Sequence, residues 1–194
     1  MARHSAAAIA RWISIVAHPL VLALLLVGVS AAKVQGGRAA VQWLGVTAAV
    51  VVIPLWVFMW RKWRSGNWDT VDASAPKNRP LLYLRALLLM AAFTVCIGVL
   101  SEWDYAWLRG SVAVVGVITV AAILNRWIKL SNHMAFAVFA AVVLLRVDWR
   151  VGAPLVAIVP LLAWSRIKLG RHSWPEVFGG ACLGGAVGLL LIFV

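Results

Sequence analysis

LLYLRALLLMAAFTVCIGVL, residues 81–100, decides the fold. One charged residue, Arg85, stands near its start, and the rest is apolar or weakly polar. A helix of this length is about 30 Å long, the thickness of the hydrocarbon core of a bilayer. Backbone in hydrocarbon has no water to bond, so the stretch is expected to be helical throughout.

Working outward, six more apolar runs follow the same rule, at about 13–32, 41–60, 111–128, 133–147, 152–164 and 175–194. The runs at 133–147 and 152–164 are short for a span, and the charged turn Asp148-Trp149-Arg150 separates them. Of the 194 residues, 64% are hydrophobic and 12% charged. Soluble domains are about half apolar and about a quarter charged, and one core of this size cannot hide such an excess. The expected fold class is therefore all-α. Residues 1–194 form a single polytopic transmembrane domain of six to seven helices. Arg3 and Arg11 before the first run resemble a signal peptide, but the run is long and carries His18-Pro19, so it is read as a retained helix.

The net charge of +12 would suggest nucleic acid in a soluble protein. Here the cations sit in short connections beside apolar runs, where they set topology and meet anionic head groups, so no nucleic-acid partner is expected. Cys96 and Cys182 lie inside apolar runs and read as packing residues. Many of the 12 tryptophans stand at run ends, as in an aromatic belt. Gly180, Gly184 and Gly188 share one helical stripe, which favours close helix packing in lipid.

Counting crossings places the connections 61–80, 129–133 and 165–174 on the face that holds the N-terminus, here called the near face. Five of the 18 Lys and Arg fall on the far face: Lys33, Arg38, Arg109, Arg146 and Arg150. The excess on the near face makes that face cytoplasmic by the positive-inside rule, in a multi-pass protein of the cell's inner or plasma membrane.

Three polar clusters fall on the near face: Lys77-Asn78-Arg79-Pro80, Ser131-Asn132-His133, and Ser165-Arg166 with His172 and Glu176. Ionisable groups at the edge of a membrane bundle are functional candidates. Arg79 and Arg166 can each present a planar fork to a phosphate. Ser131 and Asn132 can present backbone N–H groups at a helix start. An imidazole can attack phosphorus when a carboxylate orients it, and Glu176 stands four residues after His172. Within one helix the two would share a face; with a helix starting after Pro175 they would meet through loop geometry. His133 can protonate a departing oxygen. His18 reads as a structural hydrogen bonder, and Asp69 and Asp72 as capping residues or partners of nearby arginines.

At these residues the chain resembles the type 2 phosphatidic acid phosphatase superfamily, whose motifs are K-x6-R-P, P-S-G-H and S-R-x5-H-x3-D. Ser165-Arg166-x5-His172-x3-Glu176 follows the third except for its last residue. Ser131-Asn132-His133 keeps the Ser and His of the second, and Arg79-Pro80 the end of the first. The likeness spans about residues 60–190. It implies a helical phosphatase fold of that type and cation-independent hydrolysis of a membrane lipid phosphate. Candidate substrates are an isoprenoid phosphate or diphosphate, phosphatidate or phosphatidylglycerophosphate. It also implies a phosphohistidine on His172, His133 as general acid and Glu176 orienting His172. Arg79, Arg166, Ser131, Asn132 and Lys77 would bind phosphate, with no metal and no cofactor. The motif-one lysine is missing, a role open to Lys77 or Lys129, and Asn132 stands where the family has glycine. Two other expectations remain: a phosphotransferase that passes the phosphate to a second lipid, and a non-catalytic transporter or assembly protein with a decayed site.

Overall fold

The computed structural model describes residues 2–73 and 75–193, with side chains from Ser5 onward. Arg3 and His4, part of the first basic stretch, thus have side chains outside the described residues. The described chain is helical, in the order α1 (Ala2–Val16), α2 (Pro19–Gln35), α3 (Gly37–Thr47), α4 (Ile53–Arg64), α5 (Arg79–Leu100), α6 (Tyr105–Leu124), α7 (Asn132–Val147), α8 (Trp149–Lys168) and α9 (Trp174–Phe193). A π-helical turn, Ala48–Val52, joins α3 to α4 into one span just before Pro54, which has no N–H to give the ladder. Among the described residues, five helices or continuous pairs are long and apolar enough to cross a membrane, or six if the bent pair α1–α2 makes one span, against the six to seven expected. Their outer faces carry apolar side chains such as Val41, Leu84, Val112 and Phe178, as expected of a bundle solvated by hydrocarbon.

Two expected boundaries are corrected. The run 13–32 is not one straight helix: α1 and α2 are bent by 43° at the Ala17-His18-Pro19 break. Pro19 opens α2 at a position that needs no N–H, and His18 caps it, its Nδ1 accepting from Leu20 N at 3.2 Å. The bend lays α1 along the end of α8, where Ser165 Oγ donates to Ala10 O at 2.6 Å. The run 152–164 extends to a 20-residue helix, 149–168, so Arg166 belongs to a span and not to a loop.

The apolar helix α7, at 16 residues, is shorter than these spans, and its surroundings give a physical reason. Its side chains at 133–135, 137, 139–141 and 144 are buried, and it packs on α2, α8 and α9. A helix wrapped by protein need not match the bilayer. Its closest neighbour is α9: a Cβ on Gly180 would lie 2.5 Å from Ser131 O, and one on Gly184 would collide with Ala135 O. The small-residue stripe thus lets two backbones touch at the level of Ser131.

The fold gathers the starts of α2, α5, α7 and α9 and the end of α8 at one end of the bundle. At the other end Lys33 Nζ, closing α2, meets Asp148 Oδ2 at 2.8 Å in the α7–α8 turn. Both belong to far-face connections in the crossing count.

Candidate active site

The spacing between Arg166 and His172 has a local cause. α8 ends on Gly170, whose φ of 64° a side chain would oppose. Gly170 N donates to Ile167 O at 2.9 Å and Arg171 N to Arg166 O at 3.0 Å, the Schellman pattern. His172 N also reaches Arg166 O, at 3.3 Å. Five intervening residues are what this turn uses to fold the chain back over the helix end. Lys129 Nζ pins the same turn by donating to Arg171 O at 2.7 Å.

α9 starts at Trp174, so His172 precedes the helix and the pair meets by cap geometry, not on one helical face. Glu176 Oε2 accepts from Ser173 N at 3.2 Å, the backward reach of a capping box. The same oxygen lies 2.9 Å from His172 Nδ1. On the other side of the ring, Arg79 Nη2 lies 3.4 Å from Nε2. A carboxylate only accepts and a guanidinium only donates, so the proton sits on Nδ1 and the lone pair on Nε2. Burial lowers the His172 pKa to about 3, helped by the neighbouring cations Arg166, Arg79 and Lys129. At neutral pH the ring is uncharged, and the nitrogen facing Arg79 carries its lone pair.

Arg79 is buried at the start of α5. Its Nη1 donates to Leu130 O at 2.7 Å and to Asn125 Oδ1 at 3.0 Å, which ties the α6–α7 connection to α5. Arg166, equally buried, donates from Nη2 to Asp72 Oδ2 at 2.9 Å and from Nη1 to Ser14 Oγ at 3.2 Å. Ser14 Oγ in turn lies 2.9 Å from Ser165 Oγ. The two guanidinium ends are therefore largely engaged, and their Nε–H edges are not. Among the described residues, three buried side-chain atoms lack a hydrogen-bond partner: Arg79 Nε, Arg166 Nε and Ser131 Oγ. Leaving a buried donor unmade costs about 1–3 kcal/mol, more for a charged group. All three belong to residues singled out above as phosphate ligands.

Ser131 begins α7 without capping it through its side chain, and its N–H donates to Glu176 O at 3.0 Å, which joins the second and third clusters. Asn132 Oδ1 accepts from Tyr83 Oη at 3.0 Å. His133 is buried, edge-on to His18 with ring centroids 5.0 Å apart, and shares a small cavity of about 110 Å³ with His18, Asp72 and Tyr83. Arg166 lies within electrostatic reach of both His133 and His172. Lys77 does not join the cluster: its side chain is exposed on the turn Pro76–Asn78, whereas Lys129 is half-buried beside Arg79, with its pKa lowered by burial and then by that arginine.

Reading by residue type gave Asp72 only as a capping residue or arginine partner, without placing it in the site, and missed Ser14 and Asn125. Asp72 had one signal: counting the first motif's spacing back from Arg79 lands on it, a carboxylate where that motif has lysine. Burial pushes its pKa up, but His133 and Arg166 outweigh that and hold it below the ordinary carboxylate range. Thr70 Oγ1 donates to its other oxygen at 2.7 Å. The next residue, Ala73, is fully buried with φ 50°, a left-handed conformation unfavourable for a residue with a Cβ. The 65–78 connection is thus bent back on itself where it delivers Asp72 to Arg166. Ser14 and Asn125 gave no motif to read. No protein-family model, curated protein or solved structure matches this chain.

Proposed function

We propose that the chain is an integral membrane phosphatase acting on a lipid phosphate through a phosphohistidine on His172. The observation that carries this reading is the set of three unpartnered buried donors, Arg79 Nε, Arg166 Nε and Ser131 Oγ, beside an imidazole whose tautomer leaves Nε2 nucleophilic. A tetrahedral oxyanion would satisfy such donors, and a neutral imidazole oriented by a carboxylate is suited to attack it.

In this mechanism the phosphate displaces Arg79 from Nε2. The Nε2 lone pair attacks phosphorus and the bond from phosphorus to the lipid oxygen breaks. The departing alkoxide takes a proton from His133, and Glu176 stabilises the growing charge on His172 through Nδ1–H. Water, deprotonated by His133, then attacks the phosphohistidine. The P–N bond breaks, inorganic phosphate leaves, and His172 is restored. Lys129 takes the role of the absent motif-one lysine by supporting the His172 turn. The substrate class is isoprenoid phosphate or diphosphate, phosphatidate or phosphatidylglycerophosphate, met from the cytoplasmic face.

One observation favours a second reading, a site that binds but does not hydrolyse: Asp72 already neutralises Arg166. A panel of these lipids with purified protein in detergent separates the two. The active enzyme releases phosphate and, after alkaline quench, shows phosphate on the peptide bearing His172, whereas His172→Ala releases none above background with its melting temperature retained. Full activity in His172→Ala would reject the mechanism, and substrate binding without release or labelling would favour the silent site. A lipid acceptor phosphorylated in place of water would identify a transferase.

A further inference from the structure

Away from the candidate site the bundle encloses a larger cavity of about 570 Å³, inside the ~300–1,000 Å³ range of ligand pockets. Along α2 it reaches from Leu22 to Lys33, a rise of about 16 Å and so roughly half the hydrocarbon core. Trp43 and Trp107, stacked at 4.8 Å, form part of its wall, and Phe93 and Phe139 line it too. Two of its three hydroxyl-bearing residues turn back to their own helices: Thr47 Oγ1 donates to Trp43 O at 2.7 Å, and Ser111 Oγ to Leu108 O at 2.9 Å, leaving Ser30 as the third. A wall so arranged offers water little and hydrocarbon a good deal.

The mouth is different. Lys33 from the end of α2, Arg109 from the start of α6 and Arg146 from the end of α7 converge on it, all exposed. Asp148 pairs with Lys33, and Arg109 sits over the Tyr105 ring at 6.0 Å, an interaction that leaves its charge intact. An apolar shaft under a cationic rim matches an amphiphile with a negative head.

We propose that this cavity binds a membrane lipid bearing an anionic phosphate head group, from the leaflet opposite His172. One hydrocarbon chain fills the shaft, and the head group rests on Arg109 and Arg146. The proposal needs no assumption about the chemistry at His172.

Gly110 supplies the decisive variant. It lines the cavity, and a Cβ built on it meets no atom within 4 Å, so Gly110→Leu fills the shaft without a backbone collision. The full chain is purified in mixed micelles with phosphatidylglycerol or phosphatidylcholine; native mass spectrometry reads retained lipid, and melting temperature is followed as each lipid is added. The wild-type chain is expected to retain phosphatidylglycerol and to be stabilised by it in preference to phosphatidylcholine. Gly110→Leu loses that lipid while keeping its lipid-free melting temperature. Arg109→Gln with Arg146→Gln weakens retention about 30-fold, the equivalent of two cation–head-group contacts, and abolishes the preference. Equal retention of both lipids by the wild-type chain, or undiminished phosphatidylglycerol in Gly110→Leu, overturns the proposal. Loss in Gly110→Leu with no effect of the arginine pair overturns it too, because the chain would then enter from the His172 end.

Discussion

Both ends of the bundle hold an acid–base pair, and the two pairs are built differently. Arg166 and Asp72 meet at 2.9 Å with side chains 4% and 21% exposed; Lys33 and Asp148 meet at 2.8 Å with side chains 50% and 13% exposed. The distances are alike and the surroundings are not. Around Arg166 the neighbouring groups are protein, so its charge needs partners brought from elsewhere in the chain, and Ser14 of α1 and Asp72 of the 65–78 connection supply them. Around Lys33 water and head groups remain within reach. The lesson is that distance says little about an ion pair until its solvation is known.

The largest break in that comparison is expected from Asp72→Ala. It strands Arg166 in a low-dielectric site and should cost about 3–5 kcal/mol, read as a fall in melting temperature in detergent. A loss no greater than that of Lys33→Ala would contradict the contrast between the ends. Next comes Gly180→Ala, whose new methyl would lie 2.5 Å from Ser131 O. Forcing α7 from α9 should cost about 1–3 kcal/mol and reduce activity further than stability, since Ser131 moves with the backbone; unchanged activity and melting temperature would show that the close approach is dispensable.

A smaller effect sharpens the account of His172. Its pKa is about 3 in the folded chain against 6.5 ordinarily, so the unfolded chain binds the extra proton first. Stability should be fully present above pH 6.5 and decline as pH falls from there toward 3. His172→Gln should flatten part of that slope in melting curves taken across the window, and an unaltered slope would assign the acid sensitivity to other groups. Lys33→Ala should give the smallest change, a slight loss that salt further reduces.

Some of the site was legible because it is local. The Gly170 turn explains why five residues separate Arg166 from His172, and Glu176 reaches His172 and Ser173 from the first turn of its own helix. Other parts are not local. His18-Pro19 announced a break in the first run but not that the bend would lay Ala10 and Ser14 on Ser165. Lys77, the nearest lysine to Arg79 in the chain, stays in solvent, while Lys129, fifty residues on, enters the cluster. Asp72 was legible as an acid able to pair with an arginine, but not that the arginine would be Arg166, ninety-four residues on.

From the sequence alone came the membrane helices and the grouping of Arg79, His133 and His172 on one face, because hydropathy and the parity of crossings depend only on residues adjacent in the chain. Tertiary structure alone decided that Asp72 neutralises Arg166, that Arg79 faces the lone pair of His172, and that a shaft opens between Lys33 and Arg146. Those facts depend on which helices lie side by side. That order rests on how closely backbones approach, as where Gly180 and Gly184 meet Ser131 and Ala135, and no run of hydropathy records it.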